Sequence, residues 1–228
     1  MAVQTTFNSA ALDLDSFLGG RSLILGEVNT GKTTLTRKVL EHALSRIEAE
    51  RVAVLDLAPE IPPHLAARIG LSGLGGRLYP PAGRPVLYLS ARLDPPRLMS
   101  RSEEEALVVA RRNLEVMEGL LTEYDHSGRD VLFINDASLY LQAGRAEVLW
   151  RRLAEATTVV ANGYYGQWLG QGELSRRERR EMETLMALFA RVIRLDPPNL
   201  EVGTERRNHE TRTDHSRIGL GRRRRHPG

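Results

Sequence analysis

Residues 26–33 read Gly-Glu-Val-Asn-Thr-Gly-Lys-Thr and match the pattern G-x-x-x-x-G-K-[ST], with a second threonine following. The two glycines let the backbone turn so that successive N–H groups point into one concavity, where they can donate to phosphate oxygens. A helix that begins at Lys32 adds the positive end of its dipole at the same place. We call residues 26–33 the P-loop and predict that a nucleoside triphosphate binds there. The predicted binding residues are Gly26, Glu27, Val28, Asn29, Thr30, Gly31, Lys32, Thr33 and Thr34.

Two P-loop side chains have specific roles in this prediction. Lys32 is expected to neutralise charge on the β- and γ-phosphates and is a predicted catalytic residue, while the Thr33 hydroxyl is expected to bind Mg²⁺. The Asn-Lys-x-Asp element that recognises guanine does not occur in the sequence, since residues 161–164 (ANGY) lack both its lysine and its acid. The expected ligand is therefore ATP with Mg²⁺.

Two aspartates near the ends of predicted strands are candidates to serve the γ-phosphate and its metal. Asp56 lies near the carboxyl end of the strand 52–57, where open α/β sheets bind ligands. Asp136 follows the apolar run 131–134, and Asn135 stands where the aspartate of a Walker B motif is usual, so Asp136 occupies the position of the catalytic acid. We predict that at least one of Asp56 and Asp136 serves the metal, mainly through water, with the choice between them open, and that Asp136 is catalytic. The alternative is that each carboxylate caps the turn that follows it.

An arginine-rich stretch, Ser175–Glu181, lies on a predicted helix. Arg176 and Arg180 are four residues apart and therefore lie on one face of that helix. One interpretation is a lid that closes these two predicted catalytic residues over the transferring phosphoryl group, with the glycines and aromatics of residues 163–172 as its hinge. The other interpretation is a solvated helix with an internal ion pair, and the spacing leaves both open.

The elements that must position these residues follow from the apolar patterns. A strand at 22–25, a helix after Lys32 and a strand at 52–57 form a βαβ unit, which implies parallel strands. Ser102 and Glu105 form a capping box that opens a long helix to about residue 124. Further strands are predicted at 86–89, 130–136, 158–161 and 191–195, and further helices at 145–156 and 173–189. The alternation predicts a three-layer α/β/α domain with a mainly parallel sheet of about five strands.

Two segments fall outside this alternation. Residues 59–85 are rich in proline and glycine and are predicted to form a long loop with one helical turn at 64–69. We place the nucleotide-binding domain at residues 1–196 and a polar, arginine-rich tail at 197–228. The run Arg222–Arg225 in this tail either attracts phosphate in a sequence-independent way or is simply solvated.

The composition limits the classes of protein. Of the 228 residues, 41% are hydrophobic and 27% charged, so the chain can bury a full core. It has no cysteine, which excludes disulfides, thiolate metal sites and a cysteine nucleophile. No apolar run approaches about 18 residues, and the N-terminus lacks the basic start and apolar stretch of a secretory signal. We therefore predict a cytoplasmic protein that does not insert into a membrane.

The order of motifs resembles that of the polynucleotide 5′-hydroxyl kinases that act in RNA processing. In that family a P-loop is followed by a strand ending in D-x-D-x-G-Q, a strand ending in an Ile-Asn-Thr-like turn, and a lid with R-x-x-x-R. The corresponding segments here are Asp56–Glu60, Ile134–Asp136, and Arg176 with Arg180. The family's second Asp falls on Ala58 and its Gly-Gln is missing, so Asp136 would have to act as the base.

Three functions are open at the level of the sequence. The first is a phosphotransferase, whose acceptor the resemblance implies to be a polynucleotide 5′-hydroxyl, with nucleic acid held by the arginine-rich lid and tail. The second is an ATPase or nucleotide-gated switch, in which nucleotide binding orders a loop and a protein partner responds to the change. The third is a non-catalytic nucleotide-binding module.

Overall fold

A computed structural model describes residues 3–6 (backbone only), 12–62, 65 and 76–195 of the chain. Apart from residue 65, the helical turn predicted at 64–69 lies outside the described residues, as does the tail 197–228 with Arg222–Arg225. Within the described part of the chain, no helix combines the length and the hydrophobicity that spanning a bilayer requires.

The centre of the fold is a seven-stranded sheet in which every neighbouring pair of strands is parallel. The strands are β1 (Val3–Thr6), β2 (Arg21–Gly26), β3 (Val52–Asp56), β4 (Leu87–Ser90), β5 (Val131–Asn135), β6 (Thr158–Tyr164) and β7 (Arg191–Leu195). The predicted α/β fold with a mainly parallel sheet is confirmed, with seven strands where about five were expected. The edge strand β1 reads Val-Gln-Thr-Thr and has no apolar run that would predict it.

Helices connect these strands on both sides of the sheet. In the described residues they are α1 (Lys32–Leu44), α2 (Pro96–Met99), α3 (Glu103–Asp125), α4 (Ala137–Leu141), α5 (Ala146–Leu153) and α6 (Glu173–Leu188). The predicted start of α3 is confirmed, because the Ser102 hydroxyl accepts a hydrogen bond from the Glu105 amide at 3.2 Å. The short helices α2 and α4 were not predicted, since neither is long enough to show a helical period.

Two apolar clusters cover the two faces of the sheet, and alternate residues of a strand enter different clusters. On β2, Leu23 and Leu25 belong to one cluster and Ile24 to the other. Helices α3 to α6 contribute to the first cluster, for example through Met117 and Met182, and α1 contributes to the second. Burial on both faces explains why the strands read as continuous apolar runs, and it produces the three-layer arrangement.

The strand order brings four strand ends together. Across the sheet the order is β1-β7-β2-β6-β5-β3-β4, so β6 lies between the P-loop strand β2 and the strand β5 that ends at Asn135. In this register Gly26 pairs with Tyr164, and Asp56 pairs with Asn135. Because the strands are parallel, the P-loop and both predicted aspartates lie at one edge of the sheet, the edge where open α/β sheets bind ligands.

Candidate active site

The P-loop connects β2 to α1, and its glycines are required for two different reasons. A Cβ added to Gly26 would lie 2.6 Å from the Leu195 carbonyl oxygen and 2.6 Å from the Thr30 hydroxyl, so no side chain fits there. Gly31 has φ +87° and Asn29 has φ +61°, and both lie in the left-handed region that a tight loop of this kind needs. Gly31 is also the residue that precedes the first turn of α1.

A cavity of about 360 Å³ opens above the P-loop. Its lining brings together P-loop and α1 residues with the ends of β5 and β6, namely Asn29, Gly31, Lys32, Thr33, Thr34, Asn135, Asp136 and Asn162. The Lys32 ammonium donates to the Glu27 carbonyl at 2.5 Å, and burial lowers the pKa of Lys32 while Asp136 and Glu27 oppose that shift. The predicted residues Lys32, Thr33 and Asp136 therefore face one cavity.

A polar network fixes the side chain of Asn135 in one orientation. Its Oδ1 accepts hydrogen bonds from the Thr33 hydroxyl at 3.3 Å and from Asn162 Nδ2 at 3.0 Å. Its Nδ2 donates to Asp56 Oδ1 at 2.8 Å and to the Gly76 carbonyl at 2.9 Å. The amide oxygen is therefore held toward Thr33, on the phosphate-binding side, and the amide nitrogen is held away from it.

Asn162 is a member of this network that the sequence reasoning missed. Its Nδ2 also donates to the Thr36 hydroxyl at 2.9 Å, and its Oδ1 accepts from the Asp136 amide at 2.9 Å. Strand β6 thus joins α1 to the end of β5 at the centre of the site. The available signal was an amide directly after the strand predicted at 158–161, and the structure shows Asn162 to be only 2% exposed.

Asp56 lies behind Asn135 and is enclosed by protein donors. Its side chain is 0% exposed. Besides Asn135, the Ala58 amide donates to Oδ1 at 3.2 Å, and the Leu78 amide and the Tyr88 hydroxyl donate to Oδ2 at 2.7 and 2.9 Å. Asp56 is not among the residues that line the P-loop cavity. The arrangement therefore gives Asp56 direct contact with Asn135 and none with the cavity.

Asp136 stands between two cavities. Its backbone is left-handed, with φ +61°, and its carboxylate accepts a hydrogen bond from the Ser138 hydroxyl. Burial raises the pKa of Asp136, and the Ser138 hydrogen bond and the charges of Lys32 and Arg97 oppose this shift. Asp136 lines the P-loop cavity and also a smaller cavity of about 90 Å³, which we call the proline pocket. The apolar wall of the proline pocket consists of Pro59, Ile61, Pro95, Pro96, Leu98, Leu139 and Leu169.

The predicted hinge, residues 163–172, contacts the P-loop directly. The Gln167 amide donates to the Glu27 carboxylate at 2.6 Å, and a Cβ added to Gly166 would lie within 2.2 Å of that carboxylate. The Tyr164 hydroxyl accepts from the Leu169 amide at 2.9 Å, and both residues line the P-loop cavity. We call residues 163–172 the cover segment. It borders the P-loop cavity through Tyr164 and Leu169, and it is joined to the P-loop through Glu27.

The two predicted lid arginines do not share a cavity, and neither lines the P-loop cavity. Arg176 donates to the Gln171 carbonyl at 2.9 Å and borders the cover segment, whereas Arg180 faces a cleft beside α3.

The arginine whose charge acts on Asp136 is Arg97, which follows two prolines and has no motif in the sequence to mark it. Arg37 of α1 lines the P-loop cavity and was also missed.

Arg97 is held by a buried carboxylate. It donates to Glu178 at 2.7 Å and to the Ser175 hydroxyl at 3.0 Å, and Gln142 also donates to Glu178 at 2.7 Å. Glu178 is only 3% exposed, and burial raises its pKa to about 7 in spite of Arg97. Helix α6 therefore contributes to the site through Glu178, which fixes the arginine beside Asp136.

The described side chains around the P-loop cavity offer a divalent cation oxygen donors but no cluster of acidic ligands. In the described ranges no group of three or more His, Cys, Asp and Glu side chains could hold a metal ion. The Thr33 hydroxyl, the Asn135 amide oxygen and the Asp136 carboxylate supply oxygen donors at the P-loop cavity. Mg²⁺ needs only a few oxygen donors from the protein, because water and phosphate oxygens complete its coordination.

Comparison with known proteins adds little to this geometry. No protein-family model matches the sequence, and the search of curated proteins finds no match. Solved structures that are similar include the helicase domain of Pyrococcus furiosus Hef and the Pif1 helicase from Candida albicans, each 15% identical, with TM-scores of 0.39 and 0.32. They cover 80% and 78% of this chain, which spans only 36% of each of them. A likeness this low carries no argument about function.

Proposed function

We propose that this protein binds ATP with Mg²⁺ at the P-loop and transfers the γ-phosphoryl group to a hydroxyl acceptor, with Asp136 as the general base. The observation that carries the proposal is the position of Asp136, which lines both the P-loop cavity and the proline pocket. Asp136 lies between the phosphate-binding cavity and the mainly apolar proline pocket. An acceptor bound in the proline pocket could therefore present its hydroxyl to Asp136 and to the γ-phosphate together. The apolar wall also limits access of competing water.

The triphosphate is proposed to bind the P-loop amides and Lys32, at the amino end of α1. The Thr33 hydroxyl and the Asn135 oxygen would hold Mg²⁺, with Asp136 acting through water. Mg²⁺ bound there neutralises charge on the β- and γ-phosphates. Asp56 is proposed to act as a positioning residue, since its carboxylate fixes the amide nitrogen of Asn135 and so directs the amide oxygen to Thr33.

The proposed reaction uses one base and two fixed cations. The Asp136 carboxylate takes the proton of the acceptor hydroxyl while the acceptor oxygen bonds to the γ-phosphorus. The bond from the γ-phosphorus to the β,γ-bridging oxygen breaks, and ADP leaves. Lys32 and Arg97 lie close enough to act on Asp136 electrostatically, and both stabilise negative charge at the reacting centre. The raised pKa of Asp136 makes it a stronger base than an exposed aspartate.

Arg176 and Arg180, which the sequence predicted to be catalytic, have no role in the proposed mechanism, because neither residue lines the P-loop cavity. The acceptor class comes from the resemblance to polynucleotide 5′-hydroxyl kinases. A nucleic-acid 5′-hydroxyl is therefore the first acceptor to test.

The experiment incubates the protein with γ-labelled ATP and Mg²⁺, with and without 5′-hydroxyl RNA or DNA. Label on the oligonucleotide is the expected result. Free labelled phosphate alone, in the same amount with and without the oligonucleotide, contradicts transfer to this acceptor and supports ATP hydrolysis. If neither product forms while ATP binds, both enzymatic functions are wrong and the non-catalytic module stands.

The second candidate function, an ATPase or nucleotide-gated switch, is favoured by one specific contact. Glu27 belongs to the P-loop, yet its carboxylate accepts the Gln167 amide of the cover segment. If phosphate binding rearranges the P-loop, the hydrogen bond between Glu27 and the Gln167 amide would change, and the cover segment could move. A protein partner could respond to this movement. Hydrolysis of ATP without any acceptor, stimulated by a protein partner, is the result that would favour this candidate.

A further inference from the structure

A cleft between α3 and α6 is lined by three arginines that the proposed reaction does not use. They are Arg111 from α3 and Arg177 and Arg180 from α6, and we call the space between them the arginine cleft. Its volume of about 260 Å³ is several times the roughly 30 Å³ that a water molecule occupies in the liquid. None of its lining residues belongs to the P-loop cavity.

The charge of the arginine cleft is largely uncompensated. Among the described residues, none of its three arginines lies within 4.0 Å of a carboxylate oxygen, although seven other arginines form such pairs. The cleft has one acidic residue, Glu173, and it is exposed. Arg177 and Arg180 are three positions apart and lie on the same side of α6, where two cations repel one another. An anion between the arginines would remove this repulsion.

Arg177 is held in place before any ligand binds. Its Nη2 donates to the Ala143 carbonyl at 2.9 Å and to the Gly144 carbonyl at 3.2 Å. Its Nε is buried and has no acceptor in the described part of the chain. The guanidinium is thus fixed through one nitrogen and keeps donors that its protein neighbours do not use. Fixing the side chain in advance lowers the entropy cost of binding an anion.

Gln142 lines the arginine cleft as well as the proline pocket and is only 4% exposed. Its Nε2 donates to Glu178, while its buried Oε1 has no donor among the described residues. A ligand that carries both anionic oxygens and an O–H group can satisfy this acceptor and the arginine donors together. Phosphate in its monoprotonated form, or a phosphate group beside a ribose hydroxyl, has this combination of groups.

We infer that the arginine cleft is a phosphate-binding site separate from the P-loop. The ligand is a phosphoryl group, recognised by the planar donor forks of Arg111, Arg177 and Arg180. Its source is either a small phosphorylated molecule or the phosphodiester backbone of a nucleic acid. The site does not depend on the proposed phosphotransfer, because the arginine cleft has no lining residue in common with the P-loop cavity and shares only Gln142, and none of its arginines, with the proline pocket.

The test measures binding of two probes by calorimetry, inorganic phosphate and a short oligouridine with hydroxyl ends, at constant ionic strength. The P-loop is first saturated with a non-hydrolysable ATP analogue and Mg²⁺. The double variant Arg111→Ala/Arg180→Ala is compared with Arg112→Ala/Arg151→Ala, which removes the same charge from exposed positions on α3 and α5 outside the cleft. Circular dichroism and the unfolding midpoint establish that both variants are folded.

The expected result is that the cleft variant binds at least one probe about tenfold more weakly than wild type, or about 1.4 kcal/mol, while the control binds as wild type does. Loss of phosphate binding identifies a small phosphorylated ligand, and loss of oligouridine binding alone identifies a phosphodiester backbone beside ribose hydroxyls. Wild-type affinity in the cleft variant, equal losses in both variants, or no binding of either probe to the wild type would overturn the inference. If the P-loop does not bind the analogue, the comparison of the two variants still reports on the cleft.

Discussion

At the scale of the residue, Asn135 explains why an amide stands where an acid is usual. Its Nδ2 lies 2.8 Å from a carboxylate oxygen of Asp56, which is fully buried. An aspartate at position 135 would place two carboxylates against each other, and one of them would have to be protonated. The amide avoids this conflict and still offers an oxygen to Thr33. In the proposed mechanism, Asp56 therefore positions the amide of Asn135, and Asn135 supplies the oxygen for the metal.

The first prediction concerns Asp136→Asn. The amide can still accept the Ser138 hydrogen bond, so the site stays assembled, but it cannot take a proton. We expect kcat to fall by about 10²–10⁴-fold with little change in ATP affinity. In the wild type, turnover should also fall as the pH drops through the pKa of Asp136, which burial raises above 3.8. Steady-state kinetics over a pH series measure both effects. Asp94→Asn, which changes an exposed aspartate, is the control, and equal kinetics in the two variants would remove Asp136 from the mechanism.

The second prediction concerns the network behind the cavity. Asp56→Ala leaves the buried donors of Leu78, Tyr88 and Asn135 without their acceptor. We expect the free energy of unfolding to fall by about 3 kcal/mol or more. Urea denaturation measures it, with Asp94→Ala as an exposed control that should change the value by less than about 0.5 kcal/mol. A small effect of Asp56→Ala would mean that this network does not hold the site.

At the scale of the element, the P-loop and the cover segment are joined through one carboxylate. Gly166→Ala adds a Cβ within 2.2 Å of the Glu27 carboxylate, and the flexible end of Glu27 can move away at little cost. We expect the Gln167 amide to lose its acceptor and to exchange its hydrogen faster, while the free energy of unfolding changes little. Hydrogen exchange followed by NMR measures this. Gly119→Ala, where the added Cβ meets nothing within 4 Å, is the control. Unchanged exchange at Gln167 would show that Glu27 does not hold the segment.

The elements that could be predicted from the sequence are those with an apolar run, a helical period or a capping motif. The apolar runs of β2, β3 and β5, the helix after Lys32 and the capping box of α3 predicted the sheet and its carboxyl edge, and hence the meeting of Lys32, Thr33 and Asp136. Asn162 and Arg97 could not be predicted as site residues, because neither belongs to a motif. The strand order brings Asn162 to the site, and contacts with Ser175 and Glu178 of α6 hold Arg97. The spacing of Arg176 and Arg180 correctly places them on one helix, but spacing does not say which way that helix faces.

At the scale of the whole molecule, Glu178 makes stability depend on pH. Its pKa is about 7 in the folded protein against an ordinary value of 4.5, so between these values the folded state binds a proton that the unfolded state does not. Stability from this group therefore increases as the pH falls from about 7 to 4.5 and is lost as the pH rises through that window.

We expect Glu178→Gln to remove this dependence. The variant's free energy of unfolding, measured by urea denaturation across the window, should vary less with pH than that of the wild type and should gain less on acidification. Other carboxylates titrate equally in both proteins and cancel in the difference. Parallel curves for the two proteins would show that the pKa of Glu178 is not raised in the folded protein.

The central claim is that the cavity above the P-loop binds ATP with Mg²⁺, and Lys32 allows the most direct measurement of it. The sequence has only two lysines, and the second, Lys38, is exposed on the same helix and outside the cavity. Calorimetric titration of Mg²⁺ and ATP into the wild type, Lys32→Ala and Lys38→Ala isolates the contribution of the P-loop lysine. A charge-assisted hydrogen bond contributes about 1.5–3 kcal/mol, so we predict at least about tenfold weaker binding for Lys32→Ala and wild-type binding for Lys38→Ala. Wild-type affinity in Lys32→Ala, or no binding of ATP to the wild type, would contradict the claim.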